Sequence, residues 1–485
     1  MSAHLLQPMP QTRREFLSRL GGGFGTVALS ALATEQALAA APDPLAPLAP
    51  RPPHHPARAK RIILLWMQGG PSQADLFDFK PRLLKDAGEK IPFDLAEDGT
   101  RYKEISRLLP PVGEFQRAGQ SGLSISKLFP HLATKADELC VLRGMQTDSP
   151  AHPGAIRLFQ TGSLQFVRPS FGSWVTYGLG SENQNLPGFV VISPVIFGDD
   201  GSPLHYNNVF LPAAHQGTRI GLASIPVKQS KIGHLGDPNL AVDLQRRQLD
   251  LIQARNRRDL SALGGDRNME GFIESYELAF RMQMQAPEVL DIERESETTR
   301  QLYGIGTDPT DNYGRKCLMA RRMIESGVRF VQVTDWAWDH HNSIRSTLPK
   351  SCAQIDRPIT GLLTDLKQRG LLEDTLVVWT GEFGRTPYDQ DLSNGKSGTD
   401  TRGRDHNPHC WTMWMAGAGV RPGFVYGETD EWAYKAVDGK VHVHDLHATL
   451  LHLLGLDHKR LTYRYSGRDF RLTDVFGNVR SEFLA

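Results

Sequence analysis

The chain has 485 residues, 40% of them apolar, enough to bury a substantial core. Its 55 basic and 54 acidic side chains give a formal net charge of +1 at pH 7, which excludes a broad electrostatic footprint for nucleic acid or an anionic membrane. Cys140, Cys317, Cys352 and Cys410 stand far apart with no Cys-x-x-Cys pair, so they read as buried apolar side chains, with one disulfide left open.

Residues 1–40 carry TRREFL at 12–17, a weakly apolar run from Leu20 to Ala33, and ALA at 37–39 before Ala40. This pattern resembles a twin-arginine signal peptide, cleaved during export by the twin-arginine machinery. The apolar run is shorter than the roughly 20 residues of a membrane span, so no stable span is expected. A periplasmic or extracellular location follows from that reading. Residues 41–58, APDPLAPLAPRPPHHPAR, are too rich in proline for a helix or a central strand and are expected to form an extended linker, with His54 and His55 in solvent.

A single domain is expected over 59–485. Short apolar runs at 61–67, 139–143, 189–192, 330–333, 376–379 and 411–416 are strand candidates, each followed by turn chemistry. Helical spacing of apolar residues marks 314–326, 353–369 and 444–455. Alternation of strand and helix predicts an α/β fold with a central, mostly parallel sheet sandwiched between helices. Residues 196–240 lack periodicity, and 241–301 are helical and charged, so about 196–301 is expected to be a cap-like insertion.

In open α/β sheets ligands bind beyond the carboxyl ends of the strands. There the sequence places Gln68, then Asp148, Ser149 and His152, then Asp335, Asp339, His340 and His341 in TDWAWDHHN, then Glu382, and finally Asp405 and His406. Imidazole and carboxylate are the ligand types of zinc and, with more oxygen, of manganese or calcium. Asp335, Asp339, His340, His341, Glu382, Asp405 and His406 are therefore the candidate ligands of a divalent metal, with zinc the first expectation. Trp336 and Trp338 flank the motif, either shielding the site, stacking on sugar rings or packing in the core. His442, His444, His447 and His452 lie along a terminal amphipathic helix and read as structural.

The order GGPSQADLFD, HPGAIRLFQTG, FVQVTDWAWDHHN, DTLVVWTGEFGRTP, GRDHNPHCWTMWMAGAGVRPG and HDLHATLLHLLGLD resembles the alkaline phosphatase and sulfatase superfamily, and within it a twin-arginine-exported, sulfatase-like branch of unknown function. The resemblance implies an alkaline-phosphatase-like sheet and a metal site that hydrolyses sulfate or phosphate esters, with a small-molecule or glycan ester as the partner. It also implies an Asp and a His after the strand at 330–333, and a later His, as metal ligands: Asp339 or Asp335, His341 or His340, and His406. Where the superfamily has a nucleophile and a second metal, this chain has Gln68, His152 and Phe383, so one metal position is expected and no formylglycine precursor. On this reading Glu382 or His152 acts as base, Arg385 and Arg157 offset oxyanion charge, and Gln68 and Ser149 contact substrate. A binding protein for an anionic glycan or surface partner that has lost the chemistry is the alternative.

Overall fold

In a computed structural model the described residues are 48–95, 106–195, 202–230, 239–262, 267–390 and 401–485. The expected signal peptide, the first part of the linker and pieces of the expected insertion lie outside them. Among these residues no helix is long and apolar enough to cross a membrane.

A nine-stranded sheet forms the centre. Its strands are β1 (Arg61–Met67), β2 (Leu139–Gln146), β3 (Phe189–Ile192), β4 (Thr218–Ile220), β5 (Phe330–Asp335) and β6 (Thr375–Thr380), followed by three more after a separate hairpin. That hairpin is β7 (Gly384–Asp389) and β8 (Arg404–Asn407); the later strands are β9 (Trp411–Gly417), β10 (Phe424–Tyr426) and β11 (Val441–His442). The sheet order is β10-β2-β9-β6-β1-β5-β3-β4, and β11 also pairs with β2. Only β9 runs against its neighbours β2 and β6; the other pairings are parallel.

Strand β1 shows why the sheet is covered twice. Six of its seven residues, RIILLWM, are buried, because successive side chains point to opposite faces and both faces need apolar groups. Ile63, Leu65 and Met67 pack with helices α5 (Asp311–Glu325) and α6 (Ile344–Gln368). Ile62, Leu64 and Trp66 pack with α1 (His152–Thr161), α2 (Phe171–Leu179) and α7 (Val443–Leu453). This is the α/β sandwich that the alternation of runs predicts.

The expected insertion, the linker and the cysteines each have a defined place. The described residues of the expected insertion, 196–301, supply the edge strand β4, which pairs with β3, and helices α3 (Val242–Ala262) and α4 (Arg267–Leu290). Ala286 and Val289 of α4 join the core at the level of Met323 in α5, at the side of the sheet. The described part of the linker, 48–58, is docked on the domain. Arg51 N–H donates to Leu179 O (2.9 Å) and His54 N–H to Gly455 O (2.8 Å), while the His55 ring lies 4.5 Å from that of His452. All four cysteines are free and buried, so no disulfide forms.

Three fully buried histidines make the core acid-sensitive. Burial pushes His205 down to about 4 and His215 and His447 down to about 3. Below about 6.5 the unfolded chain takes up protons at these rings while the native rings stay neutral. Stability is therefore complete above that value and is lost as pH falls toward 4, by about 1.4 kcal/mol per pH unit for each ring. His447 Nε2–H donates to Phe159 O (2.7 Å), a bond that a glutamine amide can also make. Urea unfolding of His447→Gln between pH 6 and 4.5 should show a slope against pH shallower by about 1.4 kcal/mol per unit; an unchanged slope contradicts this assignment.

Candidate metal centre

Strands β1, β5 and β6 are parallel neighbours, so the loops leaving their carboxyl ends start side by side. Close approach of those loops depends on glycine. Gly69 has φ +115°, and a Cβ there would sit 2.5 Å from Asp339 N and 2.7 Å from Trp338 C. A Cβ on Gly403 would lie 2.2 Å from the carbonyl carbon of His341. Two buried side chains of the GGPSQAD segment, both in the helical turn Gln73–Leu76, fix the β7–β8 hairpin against β1. Gln73 accepts from Arg385 N–H (2.9 Å) and donates to Arg385 O (2.7 Å). Asp75 receives Arg404 through Nε (2.7 Å) and Nη2 (3.1 Å), with both side chains fully buried.

On this frame His152, Asp339, His341 and His406 converge. One ligand atom from each lies within 4.8 Å of every other, and among the described residues this is the one such group. Asp339 Oδ1 is 3.3 Å from His152 Nε2, 2.9 Å from His341 Nε2 and 3.4 Å from His406 Nε2; the last two nitrogens are 2.8 Å apart. The opposite edge of each ring is anchored. His406 Nδ1–H donates to Pro150 O (2.6 Å), His152 Nδ1–H donates to Glu382 Oε1 (2.7 Å), and His341 Nδ1 meets the Gln390 side-chain oxygen. Such partners fix the tautomer and leave Nε2 as the free lone pair, the arrangement around metal-binding histidines. Two lone pairs 2.8 Å apart need a positive charge between them. His152 Nε2 is moreover buried without a hydrogen-bond partner. The donor set of three imidazoles and a carboxylate fits a divalent metal ion.

Charge at the cluster follows from the same contacts. Burial favours the neutral form of Asp339, but the three adjoining imidazoles and the Arg385 charge hold its carboxyl far below the usual range. Burial disfavours the charged form of His152, yet Asp339 and Glu382 together raise it to about 9. Burial, Arg385 and the neighbouring rings lower His406.

Several expected roles change. Glu382 is not in the ligand group; its Oε1 accepts from His152 and from Gly69 N–H (2.8 Å), so it orients a ligand. His152, expected as base, is the fourth member of the candidate ligand group. Arg385 is fully buried and gives four of its five N–H groups to Gly69 O, Gly70 O, Arg404 O and Asp339, with Nη1 also 3.5 Å from His341 Nε2, so its charge rather than a free N–H faces the site. Asp335 is buried, accepts from Trp338 Nε1 (2.9 Å) and is raised by burial. His340 is buried with Nε2 3.3 Å from Ser351 Oγ. Asp405 accepts from His406 N–H (2.8 Å) and stays 3.9 Å from His341 Nδ1. Ser149 closes a turn by accepting from Ala151 N–H (3.1 Å), and Arg157 donates to Leu164 O (3.1 Å). Gln68 does reach the site: with His152, Asp339 and His340 it lines a cleft of about 490 Å³. Phe383 walls the cluster, its ring 4.9 Å from that of His152 and 4.4 Å from that of His406.

The terminal histidines are structural, as the helix pattern suggests. His442 accepts from His444 N–H (3.2 Å) at the start of α7 and pairs with Asp148 (3.1 Å).

The chain matches the family model "Protein of unknown function (DUF1501)" over residues 59–484. It belongs to the DUF1501 family. No curated protein matches the sequence. Solved structures similar to this DUF1501 chain include Ps i-CgsB in complex with k-i-k-neocarrahexaose, at 13% identity and TM-score 0.35, covering 82% of this chain and 72% of that one. The lipoteichoic acid synthase LtaP from Listeria monocytogenes has 10% identity and TM-score 0.37, with 88% and 78% covered. The alkaline phosphatase from the Antarctic bacterium TAB5 has 11% identity and TM-score 0.34, with 82% and 98% covered. A sulfatase and alkaline phosphatases are among the matched structures.

Glu382→Gln keeps the shape of the side chain and removes the charge that holds His152. Its metal affinity, measured by competition with a chromogenic chelator, should fall by about tenfold, the lower end for loss of such a partner. Unchanged affinity would remove Glu382 from the site.

Proposed function

We propose that this DUF1501 protein is an exported, metal-dependent hydrolase of sulfate or phosphate esters. The observation that carries the proposal is the convergence of three anchored Nε2 atoms and Asp339 beside an open cleft. His152, His341, His406 and Asp339 would hold the ion, and three imidazoles with one carboxylate favour zinc. When bound, a divalent cation supplies Lewis acidity toward an ester oxygen and lowers the pKa of a coordinated water. His152 and Asp339 both line the cleft, so the ligand set is open to substrate on that side.

The chain's own residues prepare the site. Glu382 and Pro150 O hold two of the rings at their Nδ1 edges, so Nε2 is the atom each presents. Arg385 offsets the charge of Asp339 from a position no solvent reaches. Phe383 packs its ring against both His152 and His406 and excludes water on that side. Nucleophilic attack falls to water, because the hydroxyls lining the cleft are committed: Thr347 donates to Ser343 O (2.9 Å) and Ser351 to Ala337 O (2.8 Å). The same lack of an uncommitted hydroxyl supports a second reading, a metal-bearing module that binds an ester without cleaving it. Export to the periplasm or beyond rests on the TRREFL segment.

Turnover of 4-nitrophenyl phosphate and 4-nitrophenyl sulfate by the purified protein decides between them. The hydrolase reading expects activity that is lost on chelation, restored by zinc, and reduced by at least about a thousandfold, or about 4 kcal/mol, in His406→Ala. Activity that survives chelation contradicts it, and bound metal with no turnover of either ester favours the binding module.

A further inference from the structure

The cleft carries three side chains that the metal centre leaves unused. Gln68 is 5% exposed, its Oε1 is buried without a hydrogen-bond partner, and its backbone N–H is already given to Asp335 O (2.7 Å). Burying an amide oxygen without a partner is unfavourable, so a ligand that brings a donor is the natural way to satisfy it. Trp336 is 58% exposed, although Trp338, two residues on, is fully buried. A large indole left in water at the rim of a cleft is a platform for an apolar ring face. Lys350 of α6 lines the same cleft. The one carboxylate in that lining, Asp339, is already paired with Arg385. The cleft is therefore short of negative charge even before a cation is added.

These demands are met together by one ligand chemistry. Sugar hydroxyls donate and accept, as a primary amide does. The C–H face of a pyranose ring covers an indole, and an attached oxyanion pairs with an ammonium. A simple alkyl ester would leave the Gln68 oxygen unsatisfied and Trp336 uncovered. We infer that the cleft binds a saccharide carrying a tetrahedral oxyanion ester, its ring on Trp336, a hydroxyl on Gln68 and negative charge on Lys350. This assignment of substrate class rests on the hydrolase reading of the adjoining cluster, but the binding it describes needs no turnover.

The metal-loaded protein is titrated at constant ionic strength with N-acetylglucosamine 6-sulfate, glucose 6-phosphate and neutral N-acetylglucosamine, following tryptophan emission and heat. Both anionic sugars, or one of them, should bind saturably and shift the emission, with the neutral sugar weaker; the tighter of the two identifies the ester. Trp336→Ala should raise Kd about tenfold and abolish the emission change. Lys350→Gln should raise Kd for the anionic sugar about three- to fivefold without affecting the neutral one. Both side chains are exposed, and unchanged metal content and circular dichroism verify the fold of each variant. Absence of saturable binding by every sugar overturns the inference, as do wild-type constants in both variants. Cleavage of 4-nitrophenyl esters without sugar binding overturns this inference and leaves the hydrolase standing; sugar binding without any cleavage does the reverse.

Discussion

Everything at the site depends on the aim of three imidazole rings toward one carboxylate oxygen. A histidine offers two nitrogens, and which one faces inward is set by what the other one touches. Here the outer nitrogens meet Pro150 O, Glu382 and Gln390, and the inner ones gather around Asp339 Oδ1. The backbone carbonyl at Pro150 can only accept, so the His406 tautomer is fixed by covalent structure rather than by solvent conditions. Asp339 can hold its negative charge there because Arg385 is buried against it. Burying a guanidinium is unfavourable unless its donors are met, and three backbone carbonyls together with Asp339 meet four of the five.

The fold serves this geometry by bringing loop ends together. Parallel neighbours β1, β5 and β6 put the Gln68, Asp335 and Gly381 ends at one edge, and the β7–β8 hairpin adds His406 from across the cluster, with His406 paired to Arg385. Glycine at 69 and 403 lets backbone approach backbone. The Asp75–Arg404 pair, with no exposure on either side chain, ties the GGPSQAD segment to the strand that carries His406. Removing one partner of such a pair would strand a buried charge, at a cost of about 3–5 kcal/mol, so the pair makes the site's frame all-or-none.

Much of the architecture is legible in the sequence because its signals are local. Apolar runs such as RIILLWM and FVQV can only be strands buried on both faces, and the helices between them show their period directly. Within 196–301 the helical, charged stretch 241–301 is legible and holds α3 and α4, whereas β4 is three residues long, too short for any period to show. At the site, Asp339, His341 and His406 are legible as candidate ligands because each stands in a loop after a strand or in a strand pair. Glu382 is legible as important, yet not as the anchor of His152, since that relation joins residues 230 positions apart. Gln73 and Asp75 give no sign of their roles in sequence, because a buried hydrogen bond to a distant backbone leaves no spacing to find. Arg385 looks like an anion binder until burial shows most of its donors already engaged.

The account's central claim is that His152, His341, His406 and Asp339 surround one cation. Diffraction at the zinc absorption edge, from crystals of protein purified without added metal, examines it directly. The account predicts a single anomalous peak about 2.0–2.1 Å from the three Nε2 atoms and about 2.0–2.2 Å from Asp339. A peak held instead by Glu382 or Asp405, or three rings hydrogen-bonded to one another with no peak between them, would contradict it.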